Sequence, residues 1–289
     1  MIFKVEEEEQ SLTIAEFLLQ RIPAAPQGYI RQLLNKGKVS RNTEQLGWQD
    51  RLATGDTVHL PDSARLQQLC DIPVPVIGPL NILYESREIL IVDKPAGLAV
   101  HSSLGHEKEN LTTRIETLLD QRGESFSVAP VHRLDLETSG PILFGKGKQA
   151  CAALGKLFMR HEVEKYYLAL VAGQTQGSGR LCGEVPSKGK MKEAVTDFRA
   201  LSRNEQASLL ELRLGTGRQH QIRRQLEQLG HPVFGDKRYG GPCSKELSRM
   251  FLHCCRLSFI DPFNGAQLDI ESELPNELKI FSDKVFSDS

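Results

Sequence analysis

A chain of 289 residues, 39% of them hydrophobic, with a formal net charge of −1, has apolar content for one large core and a small satellite, which predicts two domains. No apolar run approaches the ~20 residues of a membrane span, and the start, MIFKVEEEEQ, is acidic where a secretion signal is basic. Composition therefore excludes a membrane-spanning protein and predicts a cytoplasmic one with no membrane partner.

Residues 1–61 read as a small α+β module. Thr13 and Glu16 form a T-x-x-E capping box that opens a helix over residues 14–21, and Pro23 and Pro26 stop it. A second helix is expected from about Pro26 to Lys36, with Ile30, Leu33 and Leu34 on its apolar side and Gly37 as its C-terminal cap. Arg31 and Lys36 lie on the other side, and Lys38 and Arg41 follow in the next turn. From Arg21 to Arg51 six Lys/Arg stand against two Asp/Glu, a local basic excess that the net charge conceals. Strand signals close the module at Gly55-Asp56-Thr57-Val58-His59-Leu60. Helix, turn, basic helix and G-D-x-V-x-L resemble the S-four RNA-binding module, and the resemblance implies RNA contacts by Arg31, Lys36, Lys38 and Arg41. Val39-Ser40-Arg41-Asn42-Thr43 stands where that module has V-N-G. The competing reading is a helical hairpin that does not touch RNA.

Residues 62–80 carry Pro73, Pro75 and Pro79 without helical or alternating periodicity and read as a linker. The second domain, residues 81–289, opens on strand signals at Ile82-Leu83-Tyr84 and Glu88-Ile89-Leu90-Ile91-Val92-Asp93. Lys94-Pro95-Ala96-Gly97 is a turn leading to a further strand ending at Val100-His101. Asn110 caps a helix over residues 111–122, whose buried stripe is Ile115, Leu118 and Leu119.

The stretch Val131 to Gly145, VHRLDLETSGPILFG, crowds charged residues into a segment that should be half buried. Asp135 lies two residues after Arg133 and just before a Thr138-Ser139-Gly140 turn and the apolar run Ile142-Leu143-Phe144, where a loop enters a strand. A carboxylate there is partly desolvated, and it stays ionised only with a cation beside it, so a second arginine is required. An ionised, poorly hydrated carboxylate is a nucleophile; alternatively, Asp135 caps the turn through the amides of Glu137 or Thr138.

HRLDLETSG resembles the active-site signature of the RluA family of pseudouridine synthases, H-R-L-D-x-x-T-S-G. Lys94-Pro95-Ala96-Gly97 through His101 is similar to that family's K-P-x-G-x-x-V-H, with Ser102 where proline is usual. The resemblance implies that Asp135 is the catalytic aspartate, that His132 and Arg133 contact substrate, and that Arg133 enters the RNA stack where a uridine has been flipped out.

Residues 148–161 are helical, with Cys151, Leu154, Leu157 and Phe158 on one face. In the strand Val163 to Val171 side chains alternate, so Lys165, Tyr167 and Ala169 share a face and Tyr166 points away. The family's K-x-Y-x-A fits Tyr167, which the resemblance places against the target base with Lys165 near it. Ser208 to Leu214 alternates as a strand. Gly215-Thr216-Gly217 then feeds Arg218-Gln219-His220-Gln221-Ile222-Arg223, which opens a helix ended by Gly230, and a glycine turn into an arginine-rich helix start suits phosphate. Arg223 could also be a surface helix residue. G-R-x-H-Q-I-R with L-G-H-P-V-F-G-D-K-R-Y-G resembles the family's third motif. It implies that Arg223 pairs with Asp135, that Arg218 meets RNA phosphate and that Ile222 lines the substrate site.

Six cysteines without a C-x-x-C pair read as reduced core residues, and His253-Cys254-Cys255 lacks a second ligand pair, so no metal site is expected. Leu274-Pro275 resembles the family's closing segment. The resemblance thus implies a mixed, largely antiparallel α+β catalytic domain, isomerising uridine to pseudouridine without cofactor or metal. The first substrate expectation is large-subunit ribosomal RNA, the second transfer RNA, with a monomer as the working state. An aspartate-nucleophile hydrolase or phosphatase would want a magnesium site, and no D-x-D flanks Asp135. A non-catalytic RNA-binding or ribosome-assembly role is the remaining alternative.

Overall fold

The computed structural model describes residues 1–22, 25, 27–42, 44–71, 80–101, 110–124, 126–187 and 189–287. Pro23, Pro26, Thr43, Pro73, Pro75, Pro79 and Ser102, on which sequence expectations rest, lie outside them. The chain divides into two compact units, Met1–Val76 in the first, Ile77–His101 with Glu109–Ser289 in the second.

In the first unit α1 (Ile14–Arg21) starts at the expected box: Thr13 accepts from the Glu16 amide at 3.2 Å, and Glu16 accepts from the Thr13 amide at 3.0 Å. Such a cap stabilises a helix by about 1 kcal/mol. α2 (Gln27–Asn35) ends at Gly37, whose φ of +61° closes the last turn with Lys38 N–H donating to the Leu33 carbonyl at 2.9 Å. Four short strands, β1 (Ile2–Lys4), β2 (Ser40–Arg41), β3 (Glu44–Gln45) and β4 (Thr57–His59), pair in the order β1-β4-β2-β3. Ile14, Phe17, Leu18, Ile30 and Val58 fill the core between helices and sheet.

The linker reading is corrected at its start. Residues 64–71 form α3 (Ala64–Asp71). Ser63 caps it, accepting from the Leu66 amide at 3.2 Å, and Leu66 is buried in the first unit's core with Leu69 and Cys70 against it. The stripe is one turn long, too short to register as periodicity beside three prolines.

The second unit is built from two antiparallel sheets. β5 (Asn81–Glu85), β6 (Ile89–Lys94), β7 (Val128–Pro130) and β8 (Gly140–Lys146) run in the order β5-β6-β8-β7, covered by α4 (Leu111–Gln121) and α5 (Lys148–Met159). The six-stranded sheet holds β9 (Glu164–Ala172), β10 (Ser178–Ser187), β11 (Lys190–Arg203), β12 (Ala207–Leu214), β13 (Leu252–Ile260) and β14 (Gln267–Glu271), in the order β10-β11-β12-β9-β13-β14. α6 (Gln221–Gln228) follows β12, and α7 (Asn276–Ser287) closes the chain with Leu278 and Phe281 buried. Among the described residues all strand pairs are antiparallel, and a parallel bridge, Ser139 to His253, joins the sheets.

That junction explains the glycine of Thr138-Ser139-Gly140. Gly140 has φ +123°, and a Cβ there would stand 2.1 Å from the Cys254 carbonyl oxygen, so only glycine lets β8 meet β13. Buried His253 seals the seam, its Nδ1 taking the Ser139 hydroxyl at 2.9 Å and its Nε2 donating to the Ser272 carbonyl at 3.0 Å. The further strand expected after Lys94 is absent; 95–101 is a loop, turning at Gly97 with φ +84°. Fully buried Lys94 replaces ladder bonds there by donating to the carbonyls of Pro95 at 2.9 Å, Leu98 at 2.9 Å and Leu136 at 3.1 Å, which ties this loop to the one carrying Asp135.

Candidate active site

The loop before β8, the middle of β9 and the start of α6 converge on a cleft open to solvent, with about 380 Å³ of empty space in and above it. Arg133, Asp135, Thr138, Tyr167, Arg218, His220, Gln221 and Arg223 supply its polar lining, and Leu134, Leu214, Ile222 and Leu252 its apolar wall. The alternative role for Asp135 as a turn cap is not what its side chain does: the Thr138 amide donates to the Asp135 backbone carbonyl at 3.1 Å. The carboxylate, 22% exposed, is left for the cation that its position demands, Arg223 Nη1 at 3.0 Å.

Arg223 is held on its other edge by Asp236, which accepts from Nε at 2.6 Å and from Nη2 at 2.9 Å. Asp236 is 1% exposed and also accepts from the amides of Arg238 and Tyr239. The Tyr239 ring lies 5.0 Å from the guanidinium carbon of Arg223. Burial works against the Arg223 charge, but the hydrogen bonds to Asp236 and Asp135 outweigh it and lift its pKa further, so it is a permanent cation beside the aspartate.

Tyr167 and Tyr166 are on opposite faces of β9. Tyr167 is 6% exposed and walls the cavity; burial, then Cys254 and the Asp135 charge, pushes its phenol well above the ordinary range. Tyr166 donates to Glu164 at 2.9 Å and carries Arg256 at 3.9 Å over its ring, away from the cavity. Ile222 and Arg218 line the cavity; Arg218 Nε donates to the Glu193 carbonyl at 3.1 Å. Arg133 is exposed at the mouth and has no ion pair among the described residues. α6 begins at Gln221 rather than Arg218, because His220 takes the left-handed conformation with φ 53° and breaks the helix before it.

Two expected substrate contacts do not line the cavity. His132 stacks on Phe158 with centroids 4.9 Å apart, and its Nε2 accepts from the Leu143 amide at 3.0 Å. Burial, with Lys165 nearby, pushes it down to about 3, so it is a neutral structural acceptor under β8. Lys165, 8% exposed, reaches the Val163 carbonyl at 3.4 Å and the face of the same Phe158 ring at 5.5 Å.

Sequence reasoning passed over His220, Asp236 and Tyr239. His220 Nδ1 meets Tyr239 Oη at 3.0 Å, and its Nε2 is 3.7 Å from Asp135 Oδ2. The available signal was F-G-D-K-R-Y-G itself, where an aspartate after a left-handed Gly235, φ +77°, enters the interior. Among the described residues no group of His, Cys, Asp or Glu is arranged to hold a metal ion, and no helix is long and apolar enough to cross a membrane.

In the first unit Arg31, Lys36 and Lys38 are exposed, with Arg31 over the Trp48 ring at 4.8 Å. Arg41 is spent internally on Glu44 at 2.8 Å and Asp56 at 3.5 Å.

The second unit's two-sheet architecture is the fold of pseudouridine synthases. It matches the solved structure of human RNA pseudouridylate synthase domain containing 4 with a TM-score of 0.59 at 23% identity, over 71% of this chain and 92% of that one. Human RNA pseudouridylate synthase domain containing 1 matches with a TM-score of 0.54 at 26% identity, over 67% of this chain and 83% of that one. The sequence model of a family described as RNA pseudouridylate synthase matches residues 88–228. The uncharacterized RNA pseudouridine synthase YhcT of Bacillus subtilis is 34% identical over 74% of this chain and 75% of its own length. Ribosomal large subunit pseudouridine synthase C of Salmonella typhimurium is 32% identical over 96% of this chain and 94% of its own. The chain belongs to the RluA family of RNA pseudouridine synthases and isomerises uridine to pseudouridine in RNA.

Proposed function

We propose that Asp135 is the nucleophile of this isomerisation, acting on a uridine extruded from structured RNA. The observation that carries the reading is Asp135 Oδ2, 3.0 Å from Arg223 Nη1, in a cavity walled by Tyr167. Arg223 pairs with the carboxylate and aims it while its own position is set by Asp236. Tyr167, held as a neutral phenol, lies against the base. Leu214, Ile222 and Leu252 exclude water, which strengthens every charge inside. Exposed Arg133 fills the gap in the stack and offsets the few kcal/mol of extruding a base. Arg218 serves the phosphate beside that nucleotide. The Asp135 carboxylate attacks ribose C1′ or base C6; either yields N1 release, rotation of the uracil and rejoining through C5.

The substrate we favour is large-subunit ribosomal RNA, on the strength of the Salmonella relative, which spans nearly this whole chain; transfer RNA is second. A monomer is the working state in this reading. The first unit is read as an S-four-like RNA-binding domain that grips RNA through Arg31, Lys36 and Lys38, with Arg41 shaping its turn. A scaffold role in ribosome assembly is the alternative biological reading.

Carbodiimide mapping of pseudouridines in RNA from cells lacking the gene, complemented with wild type or Asp135→Ala, tests these points together. Loss of one or a few sites that only wild type restores is expected, and their positions name the substrate. Restoration by Asp135→Ala would remove the nucleophile assignment; rescue of growth by that variant without the modification would favour the scaffold role.

A further inference from the structure

Pseudouridine formation moves a proton as well as a sugar. Uridine has ribose on N1 and hydrogen on C5; the product has ribose on C5 and hydrogen on N1. Once C5 has bonded to C1′, the C5–H electron pair must return to the ring as the C5–C6 double bond. The N1–C6 π pair then falls back on N1, and the proton passes from C5 to N1. A base with a free lone pair has to carry it between these two atoms, which flank C6.

The cavity lining offers few. Asp135 is either still bonded to C6 or, displaced from C1′ as C5 bonds there, paired again with Arg223 Nη1 at 3.0 Å, and the guanidiniums of Arg133, Arg218 and Arg223 hold no usable lone pair. Tyr167 could accept a proton only as a phenolate, which burial and the Asp135 charge oppose. The Gln221 amide is fully engaged with Thr216, the Arg218 amide, the Val195 carbonyl and Thr196. We propose that His220 is the proton carrier of the isomerisation, its Nε2 taking the C5 proton and returning it to N1. The inference rests on the reading of Asp135 as nucleophile.

His220 is built for a fixed orientation. Its φ of 53° turns the side chain out of the helix start and into the cavity lining. Tyr239 Oη, 3.0 Å from Nδ1, also accepts from Arg224 Nε at 2.9 Å. The tautomer that donates Nδ1–H to Tyr239 leaves the Nε2 lone pair on the side of Asp135, 3.7 Å away. The groups facing the ring are Asp135, Arg223, Arg224, Arg238 and Tyr239. Burial lowers its basicity and the three arginines add to that, while Asp135 opposes them; the net direction is down, toward a neutral ring ready to accept. The imidazolium formed faces the Asp135 side chain.

The test uses full-length His220→Gly, since a left-handed position suits glycine and spares the fold. The substrate is total RNA from gene-deleted cells grown on C5-deuterated uracil, with protonated RNA as reference. Loss of the carrier slows turnover by about a hundredfold, brings out a C5 isotope effect larger than that of wild type, and is reversed by added imidazole in proportion to its neutral fraction. His220→Asn, which also tolerates the left-handed region, gives the same isotope effect without needing rescue to show it. If both variants turn over with the wild-type isotope effect and His220→Gly ignores imidazole, while Asp135→Ala is inactive, the proton carrier is wrong and the nucleophile stands. Turnover by Asp135→Ala would instead overturn the nucleophile, and the carrier with it.

Discussion

Asp236 grips the Nε and Nη2 edge of Arg223 at 2.6 and 2.9 Å and leaves Nη1 to Asp135 at 3.0 Å. Arg223 is strung between two carboxylates, one buried at 1% exposure and one in the cavity. The buried one is itself fixed by the amides of Arg238 and Tyr239, so the backbone of that loop sets the direction of the guanidinium. Asp236→Asn keeps the volume and an acceptor but removes the charge, leaving Arg223 free to turn toward Asp135. Single-turnover rates should fall by about tenfold to a hundredfold, or about 1.4–2.7 kcal/mol, with KM little changed. Asp236→Ala, which leaves the buried Nε and Nη2 edge of Arg223 without its acceptor, should also cost about 3 kcal/mol in urea unfolding. An Asp236→Asn enzyme with wild-type rates would show that Arg223 needs no such anchor.

Gly140→Ala tests the seam between the two sheets. The added methyl would meet the Cys254 carbonyl at 2.1 Å, and alanine resists a φ of +123°. Neither strand can yield, because the Cys254 amide donates to the Ser139 carbonyl at 2.8 Å and Gly140 starts β8. A loss above about 3 kcal/mol is expected, in the range of the strained-backbone and overpacking mechanisms. Chemical denaturation measures it. Gly183→Ala, whose site is open within 4 Å, serves as the control that should change little.

What sequence can carry here is set by how local each signal is. The Thr13 and Glu16 box and the Gly37 stop are local, and both stand where the residues place them. Asp135, Tyr167 and Arg223 come from three separate motifs, and each motif holds its residue at a fixed point of a loop, strand or helix; their meeting in one cavity is therefore legible from resemblance. His132 is not, because its place under β8 depends on Phe158, 26 positions further on, and a histidine inside an active-site signature gives no sign that it faces the core. Asp236 is silent for a similar reason: its pairing with Arg223 crosses the turn after α6. The short stripe of α3 and the buried side of α7 gain meaning only from the cores they complete.

The alternation of β9 makes a prediction about two adjacent tyrosines. Tyr167 pairs across to Leu212 and Cys254 and faces the cavity, whereas Tyr166 is bound to Glu164 and Arg256 on the other face. Tyr167→Leu removes a stacking surface worth about 1–3 kcal/mol per base, so turnover should fall by about tenfold to a hundredfold. Tyr166→Leu should stay within about twofold of wild type, since surface changes of this kind cost about 0.5 kcal/mol. The reverse order in single-turnover assays would put the register argument in error.

The pH dependence of stability should bear the mark of His132. Its Nε2 must stay unprotonated to accept from the Leu143 amide, and burial, with Lys165 nearby, pushes its pKa from 6.5 to about 3. In the window between those values the unfolded chain binds a proton that the native protein refuses, so stability rises with pH across it. The contribution is complete above 6.5 and is lost progressively as pH falls toward 3. His132→Gln can still accept from Leu143 through its amide oxygen but cannot titrate. The difference in unfolding free energy between wild type and His132→Gln, followed from pH 7 to pH 4, should shift steadily toward the variant, at up to ~1.4 kcal/mol per pH unit for a single proton. A difference that stays flat across that range would mean that the ring is already protonated in the native state and that Leu143 bonds elsewhere.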